Sequence, residues 1–205
     1  NGNGTIDGSS LTDINGAAAD VVQAITDLDT NPTTFDTDLG ATAAAASDIA
    51  TIEAANGNGT IVGSSLTDIN GTYAQIAQAL IDLDTAPTNF NSTLTAGAEA
   101  ATDITLLEDA NGSGTIDGSN LTDINGAAAD VAQAITDLDT DPTNFDTDLG
   151  ATAAAASDIA TIEAANGNGT IDGSSLTDIN GAAADVGQAI TDLYTDPTTF
   201  NSDLT

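Results

Sequence analysis

The chain repeats its own sequence in successive copies, and this repeat constrains the fold more than any other feature. Four copies align, the last of them incomplete: residues 1–55, 56–110, 111–165 and 166–205. Internal repeats of this length are typical of arrays in which each unit packs against its neighbours. We therefore predict four repeat units. Because the first residue is not Met, we expect a processed product or a fragment of a longer array.

Each unit divides into two similar halves. In the first half Leu11 precedes Asp20 by nine residues, and in the second half Leu39 precedes Asp48 by the same interval. Later copies keep this spacing, except that Gln75 replaces the aspartate once. The spacing indicates an elementary coil of about 27–28 residues that is used twice in each unit.

Each coil is predicted to contain a short strand followed by a helix. Residues 35–39 alternate apolar and polar side chains, the period of a half-buried strand, and shorter extended segments are predicted at 5–7 and 11–14. We expect Asn15 and Thr42 to cap the helices that follow. The apolar stripes of these helices are Ala18, Val21, Ile25 and Leu28 in the first half, and Ala45, Ile49 and Ile52 in the second.

A strand and a helix alternating in every coil favour an α/β repeat solenoid with parallel strands. In this prediction each coil of about 27 residues contributes one short strand and one Ala-rich helix, which allows close stacking. The alternative is an all-α repeat array, in which the short extended segments are only loops.

The chain has no Lys, Arg, His or Cys, and this composition excludes several functions. Without basic residues it offers no cradle for phosphate and no patch for nucleic acid. It also has no run of 18 apolar residues, so we predict no membrane insertion. The side chains that usually act as bases and nucleophiles are missing, and we predict that the chain is not an enzyme.

The 32 carboxylates give a formal net charge of −32, which opposes compaction in dilute buffer. Salt shortens the Debye length from about 8 Å at 0.15 M to about 3 Å at 1 M. Seawater, brine or a calcium-rich exterior therefore suits the chain better than cytosol, and we expect an extracellular or cell-surface location.

The loop at residues 1–8 resembles a calcium loop of the D-x-[DN]-x-[DN]-G type. With the loop glycine placed at Gly4, Asn1 and Asn3 take the third and fifth positions and Asp7 takes the ninth. The first position is acidic only in the third unit, at Asp109, and the glutamate of the twelfth position is missing. Asn-Gly pairs also form ordinary tight turns, which is the alternative interpretation.

Acidic residues near helix C-termini favour cation binding, because the helix dipole disfavours negative charge there. Solvation of these carboxylates is the simpler explanation. We predict calcium as the ion. Its candidate ligands are Asn1, Asn3, Asp7, Glu53, Asn56, Asn58, Glu108, Asp109, Asn111, Asp117, Glu163, Asn166, Asn168 and Asp172.

Asp36 and Asp38 form a carboxylate pair on one face of the predicted strand, and Asp146 and Asp148 repeat it. A paired-carboxylate hydrolase would use such a pair. Its repetition along the array favours a structural role.

The run from Ala101 to Asp130 joins A-T-D-I-T-L-L to G-T-I-D-G and then to D-I-N-G-A-A-A-D. It resembles the repeats of very large secreted surface proteins of cyanobacteria and other aquatic bacteria, and the resemblance extends over the whole chain. It implies an extracellular adhesive or matrix role and brings no catalytic residues with it. The G-G-x-G-x-D nonapeptide of calcium-binding β-rolls is not present in this sequence.

These observations predict an extracellular structural repeat protein, part of a surface adhesin, sheath or filament, stabilised by divalent cations. Its expected partners are other copies of itself, stacked head to tail, and surface glycans. The alternative function is a ligand-binding solenoid that recognises glycan or ice. Its recognition surface would be the regular threonine row at Thr5, Thr60, Thr115 and Thr170.

Overall fold

The computed structural model describes residues 4–205, and this part of the chain has a mixed α/β structure. Seven helices alternate there with short parallel strands. The helices are α1 (Ala18–Asp27), α2 (Ala46–Ala55), α3 (Tyr73–Asp82), α4 (Ala101–Asn111), α5 (Ala128–Asp137), α6 (Ala156–Ala165) and α7 (Ala183–Asp192). The strands are β1 (Thr37–Asp38), β2 (Ala43–Ala45), β3 (Ile61–Val62), β4 (Asp68–Asn70), β5 (Ser92–Thr93), β6 (Gly97–Ala100), β7 (Ile116–Asp117), β8 (Leu121–Asn125), β9 (Thr147–Asp148), β10 (Ala153–Ala155), β11 (Ile171–Asp172) and β12 (Asp178–Asn180).

The chain forms two compact units. The first contains the residues up to Thr93 together with Asn111–Thr115, and the second contains Leu94–Ala110 together with Ile116–Thr205. In the first unit α1 packs on α2 and α2 packs on α3. In the second unit α5, α6 and α7 pack in the same order. Helices that pack together begin at regular intervals, as at positions 18, 46 and 73, which agrees with the predicted coil length.

Strand partners lie closer together in the sequence than the starts of neighbouring helices do. In the first unit Thr37 pairs with Ile61, and Ala43 pairs with Asp68. An isolated bridge joins Asp7 to Thr30 across a similarly short interval. The second unit repeats these intervals in β9–β11 and β10–β12. Strand neighbours are therefore not the residues that correspond to each other in the two half-repeats.

The core is built from aliphatic side chains, small alanines and phenylalanines. Phe35, Thr37 and Leu39 are buried whereas Asp36 and Asp38 are exposed, so the predicted alternation over 35–39 is confirmed although the strand itself is short. The helices bury residues such as Ala46, Ile49 and Ile52 in α2 and Ala18 and Val21 in α1. Ile25 and Leu28 of the predicted stripe are only half-buried.

The two predicted helix caps are wrong. The N-cap of α1 is Ala17 and that of α2 is Ala45, and neither side chain accepts a capping hydrogen bond. Asn15 instead accepts a hydrogen bond from the Asp38 amide of the next coil at 2.7 Å. Thr42 donates its hydroxyl to the Leu39 carbonyl at 3.1 Å. Both polar side chains are occupied by contacts outside the helix, which sequence spacing does not reveal.

The mixed α/β prediction is confirmed. The all-α alternative is wrong, because the short extended segments pair as parallel strands.

Candidate functional site

Aspartate side chains bind backbone amides of the preceding coil at one set of equivalent positions. In each pair the carboxylate Oδ2 accepts a hydrogen bond of 2.6–2.8 Å from an isoleucine amide 23 residues earlier. The pairs are Asp29 with Ile6, Asp84 with Ile61 and Asp139 with Ile116. In the reverse direction the Asp84 amide donates to the Ile61 carbonyl at 3.0 Å, so the aspartate bonds both the amide and the carbonyl of the same isoleucine.

A second set joins each strand to the coil that follows. The side-chain Oδ1 of one residue accepts a hydrogen bond from a threonine amide 24 residues later, at 2.7–3.0 Å. The pairs are Asp36 with Thr60, Asn91 with Thr115 and Asp146 with Thr170. The hydroxyls of Thr115 and Thr170 also donate to the same oxygens, at 3.1 and 2.9 Å.

A third set uses asparagine alone. Its Oδ1 accepts a hydrogen bond of 2.7–2.8 Å from the amide of the residue 23 positions later. The pairs are Asn15 with Asp38, Asn70 with Thr93, Asn125 with Asp148 and Asn180 with Asp203. We call these three sets the coil clamps.

The coil clamps give five of the 32 carboxylates a structural role in a chain without basic residues. A carboxylate that accepts backbone N–H groups is stabilised in its charged form, and such charge-assisted bonds are stronger than neutral ones. The strands are only two to five residues long, so side-chain bonds supplement a sparse ladder of backbone bonds. These five aspartates therefore contribute to cohesion between coils.

The hydrogen bonds change the acidity of particular clamp residues. The Thr60 amide lowers the pKa of Asp36, and the Thr60 hydroxyl lowers it further. The Thr170 amide and hydroxyl lower the pKa of Asp146 in the same order.

Shallow clefts lined by hydroxyl and amide groups lie beside the clamps at equivalent positions. One in the first unit has a volume of about 420 Å³ and is lined by Ser64, Ser65, Thr67, Thr88, Asn89 and Asn91, among others. Another, in the second unit, measures about 430 Å³ and is lined by the corresponding residues from Ser174 to Asn201. A third lies at Thr12, Thr34, Asp36 and Asn58. We call these the hydroxyl clefts.

The predicted calcium loop forms turns in the described residues. Asp7, Asp117 and Asp172 each accept a hydrogen bond of 2.9 Å from the serine amide two residues later. The Ser9 amide lowers the pKa of Asp7. Asn1 and Asn3 lie outside the described residues.

The first asparagine of each later copy of this loop (Asn56, Asn111 and Asn166) is buried and does not face solvent. Asn56 and Asn166 donate their Nδ2 to the carbonyls of Gly59 and Gly169 at 3.0 Å, while their Oδ1 atoms have no protein partner. Both amide atoms of Asn111 are buried without a protein partner. The next asparagines, Asn58 and Asn168, are exposed.

The predicted glutamate ligands lie on helices in different environments. Glu53 and Glu163 are exposed, as is Asp109, whereas Glu108 is half-buried. Burial raises the pKa of Glu108, and the nearby charges of Asp137, Asp139 and Asp109 raise it further.

Among residues 4–205, no group of three or more acidic side chains lies close enough together to hold a metal ion. Most of the predicted ligands serve turns, or are buried, or stand alone on the surface. Calcium binding stays a prediction.

Sequence reasoning did not identify the coil clamps. Asp29 and Asp84 were not predicted to bind backbone, and Asn15 was predicted only to cap a helix, because their partners lie 23 residues away in a different half-repeat. The signal that points to a structural role is their recurrence at fixed positions, in the first three units for the aspartates and in all four for the asparagine.

The helices of the described region are each too short to cross a bilayer, since the longest has 11 residues. No protein-family model, curated protein or solved structure matches the chain.

Proposed function

We propose that the chain is a structural repeat segment of an extracellular assembly, such as a surface adhesin, sheath or filament, in which successive coils stack as an α/β solenoid. The observation that carries this proposal is the recurrence of the coil clamps at equivalent positions in both compact units. A chain that uses its side chains repeatedly to join one coil to the next is suited to a mechanical role, in which it spans a distance and holds an assembly together.

An extracellular setting follows from the charge. The net charge of −32 has no basic residue to offset it, and high salt or divalent cations would screen it. The resemblance of the repeat to secreted surface repeats of aquatic bacteria supports the same location.

Two measurements test the proposal. Antibodies against the chain should label the surface or the matrix of intact, unpermeabilised source cells, and label restricted to the cytoplasm would contradict it. Small-angle X-ray scattering of the purified chain in 1 M salt should report an elongated particle with a constant cross-section. A globular profile would exclude the solenoid.

The hydroxyl clefts favour a second candidate function, the binding of a neutral glycan. Their hydroxyl and amide groups can donate to and accept from sugar hydroxyls. Phe90 beneath one cleft is buried and offers no ring face for stacking, so each cleft would bind weakly. Equivalent clefts along one chain would raise the total affinity through multivalency.

Glycan-array binding with a double variant tests this candidate. Ser64→Ala with Thr88→Ala removes two hydroxyls that line one cleft, and we expect reduced binding. Thr51→Ala on the exposed face of α2 is the control. Equal glycan binding by both variants would exclude the hydroxyl clefts as the glycan-binding sites. We do not favour ice as the ligand, because the hydroxyls of Thr115 and Thr170 are engaged in coil clamps.

A further inference from the structure

We propose that the asparagine set of coil clamps protects its own Asn-Gly pairs from spontaneous deamidation, and that Asn58 is the position at which the folded chain is modified. The inference concerns the covalent chemistry of the chain and goes beyond the proposed function.

Deamidation of an Asn-Gly pair needs only the chain and water. The glycine amide nitrogen attacks the asparagine Cγ, a C–N bond forms, and the bond from Cγ to Nδ2 breaks. The displaced proton leaves with Nδ2 as ammonia, and the product is a succinimide ring. Water then opens the ring at either carbonyl and gives aspartate or isoaspartate. Glycine favours the first step because it has no Cβ to hinder the approach.

Each asparagine of the third clamp set is followed by a glycine, and one residue of the next coil holds both reacting groups. The Thr93 amide donates to Asn70 Oδ1 at 2.7 Å, and the Thr93 carbonyl accepts from the Gly71 amide at 3.2 Å. The same two bonds recur at 2.7–2.8 Å and 3.1–3.2 Å. The pairs are Asn15-Gly16 with Asp38, Asn125-Gly126 with Asp148, and Asn180-Gly181 with Asp203.

Both bonds oppose ring closure. The succinimide nitrogen carries no hydrogen, so the bond from Gly71 to the Thr93 carbonyl must break before the ring forms. The bond from the Thr93 amide fixes the Asn70 side chain on the neighbouring coil, whereas attack needs Cγ about 3–3.5 Å from the glycine nitrogen, with the reacting orbitals aligned. The reaction therefore proceeds from the opened clamp, at a rate set by the population of that open state.

Asn58 is followed by Gly59 but belongs to no clamp. Its side chain is exposed, and among the described residues it accepts no hydrogen bond from another coil. The Gly59 amide donates to the Asn56 carbonyl at 3.1 Å, within the same turn. At the equivalent position, the Asn168 side chain donates to Asn144 Oδ1 at 3.3 Å, which restrains it. The other described Asn-Gly pairs begin at buried asparagines, which are Asn56, Asn111 and Asn166.

The two products differ in their effect on a clamp. Aspartate keeps the Oδ1 acceptor, and Asp36 and Asp146 show that a carboxylate accepts a coil amide in this fold. Isoaspartate passes the backbone through the former side chain, which lengthens the main chain and removes the acceptor. A clamp that opens long enough to react is therefore lost permanently wherever isoaspartate forms.

Peptide mass spectrometry of the parent chain tests the inference without any substitution. The chain is incubated in mildly alkaline buffer of high salt concentration, folded or in concentrated urea, and then digested with thermolysin. The folded rate at each site is divided by its own rate in urea, which removes the effect of flanking residues. We expect this ratio to be about tenfold or more higher at Asn58 than at Asn70 and Asn125. Equal ratios at the three sites would overturn the proposal.

A crossed pair of variants tests the clamps themselves. Proline has no amide hydrogen, so Thr93→Pro removes the donor to Asn70, and Asp148→Pro removes the donor to Asn125. Each variant should accelerate deamidation at its own asparagine and leave the other unchanged. Unchanged rates at both sites would overturn the role of the clamps. A variant that accelerates both sites has unfolded the chain, and the comparison with Asn58 in the parent chain then decides.

Discussion

Asp36, Asn91 and Asp146 occupy equivalent positions in three successive repeats, and each accepts a hydrogen bond from a threonine amide of the next coil. The exchange of carboxylate for amide leaves the geometry in place, since the three distances are 2.8, 3.0 and 2.7 Å in that order. At this position the chain therefore requires an acceptor and not a charge. Where the acceptor is an aspartate, its charge makes the stability of the fold depend on pH.

Asp146→Asn should make the stability of the chain less dependent on pH. The pKa of Asp146 is lowered in the folded state by the Thr170 amide and hydroxyl. The charged form therefore stabilises the fold at pH values above the unfolded pKa of about 3.9, and this contribution is lost as pH falls through the lowered folded pKa. Thermal melts between about pH 7 and pH 2 should show a smaller decline for the variant than for the parent chain.

Asn91→Ala is the companion variant for this experiment. It removes the acceptor without removing a charge, so it should lower the melting midpoint by a similar amount at every pH. A pH profile of Asp146→Asn identical to that of the parent chain would contradict the assigned role of the carboxylate.

Glu108→Gln should raise stability at neutral pH. Burial and the charges of Asp137, Asp139 and Asp109 raise the pKa of Glu108, so its charged form costs folding free energy at pH values above the raised pKa. That cost disappears as pH falls below the ordinary glutamate value. We expect a gain below about 1 kcal/mol at low salt and pH 7, because solvent screens a half-exposed group.

Glu163 is the control for this substitution, since it occupies the equivalent position one repeat later and is exposed. Glu163→Gln should change the melting midpoint less than Glu108→Gln in the same buffer. If both variants behave alike, the effect comes from net charge and not from the surroundings of Glu108.

At the scale of elements, glycines allow one loop to pass close to the neighbouring strand. A Cβ atom built on Gly59 would lie 1.8 Å from the carbonyl oxygen of Phe35, and one on Gly169 would lie 1.8 Å from that of Phe145. These contacts are with backbone, which cannot rotate away. Gly59→Ala should therefore cost about 3 kcal/mol or more, as an overpacked site does.

Gly187 lies in a helix and gives the opposite expectation. It belongs to α7, where an added Cβ meets no atom within 4 Å, and the equivalent residue of α5 is Ala132. Gly187→Ala should stabilise the chain by about 0.5–1 kcal/mol. Denaturant unfolding of both variants measures the two effects, and a neutral Gly59→Ala would show that the loop does not approach the strand as closely as described.

The sequence predicts the helices well because each spans ten or eleven residues and repeats an apolar period. It predicts the strands only approximately, because segments of two to five residues carry little periodicity. The predictions of the helix caps were wrong because Asn15 and Thr42 have partners outside the helix. The shorter interval between paired strands was not predictable from the coil length, since strands and helices advance by different intervals along the sequence.

The candidate site was predicted less well than the fold. The calcium-loop pattern selected Asn56 and Asp7, but the structure uses the first for a buried bond to the Gly59 carbonyl and the second for a turn. Asn-Gly motifs serve turns and ion loops alike, and sequence alone does not separate the two uses. The coil clamps depend on contacts between residues far apart in the chain, which a local motif cannot show.

At the scale of the whole molecule, the 32 carboxylates produce a repulsion that local bonds offset only in part. A coil clamp formed by an aspartate stabilises one charge through one or two N–H or O–H groups and leaves the net charge unchanged. The long-range repulsion must be screened by ions in solution. Monovalent salt and calcium differ here, because only calcium gains from several oxygen ligands at one place.

Calcium should raise the melting midpoint more than sodium chloride of equal ionic strength. The described residues offer no group of three carboxylates, so we expect binding by one carboxylate together with amide and carbonyl oxygens, with affinities of about 0.1–1 mM. At 100 times such a dissociation constant the gain is about 2.7 kcal/mol, or roughly 5–10 °C for a chain of this size. Melts in calcium, in matched sodium chloride and in calcium with excess chelator measure it. If calcium and sodium chloride raise the midpoint equally, the cations act by screening alone, and the predicted ligands from Asn56 to Asp172 have no role in binding.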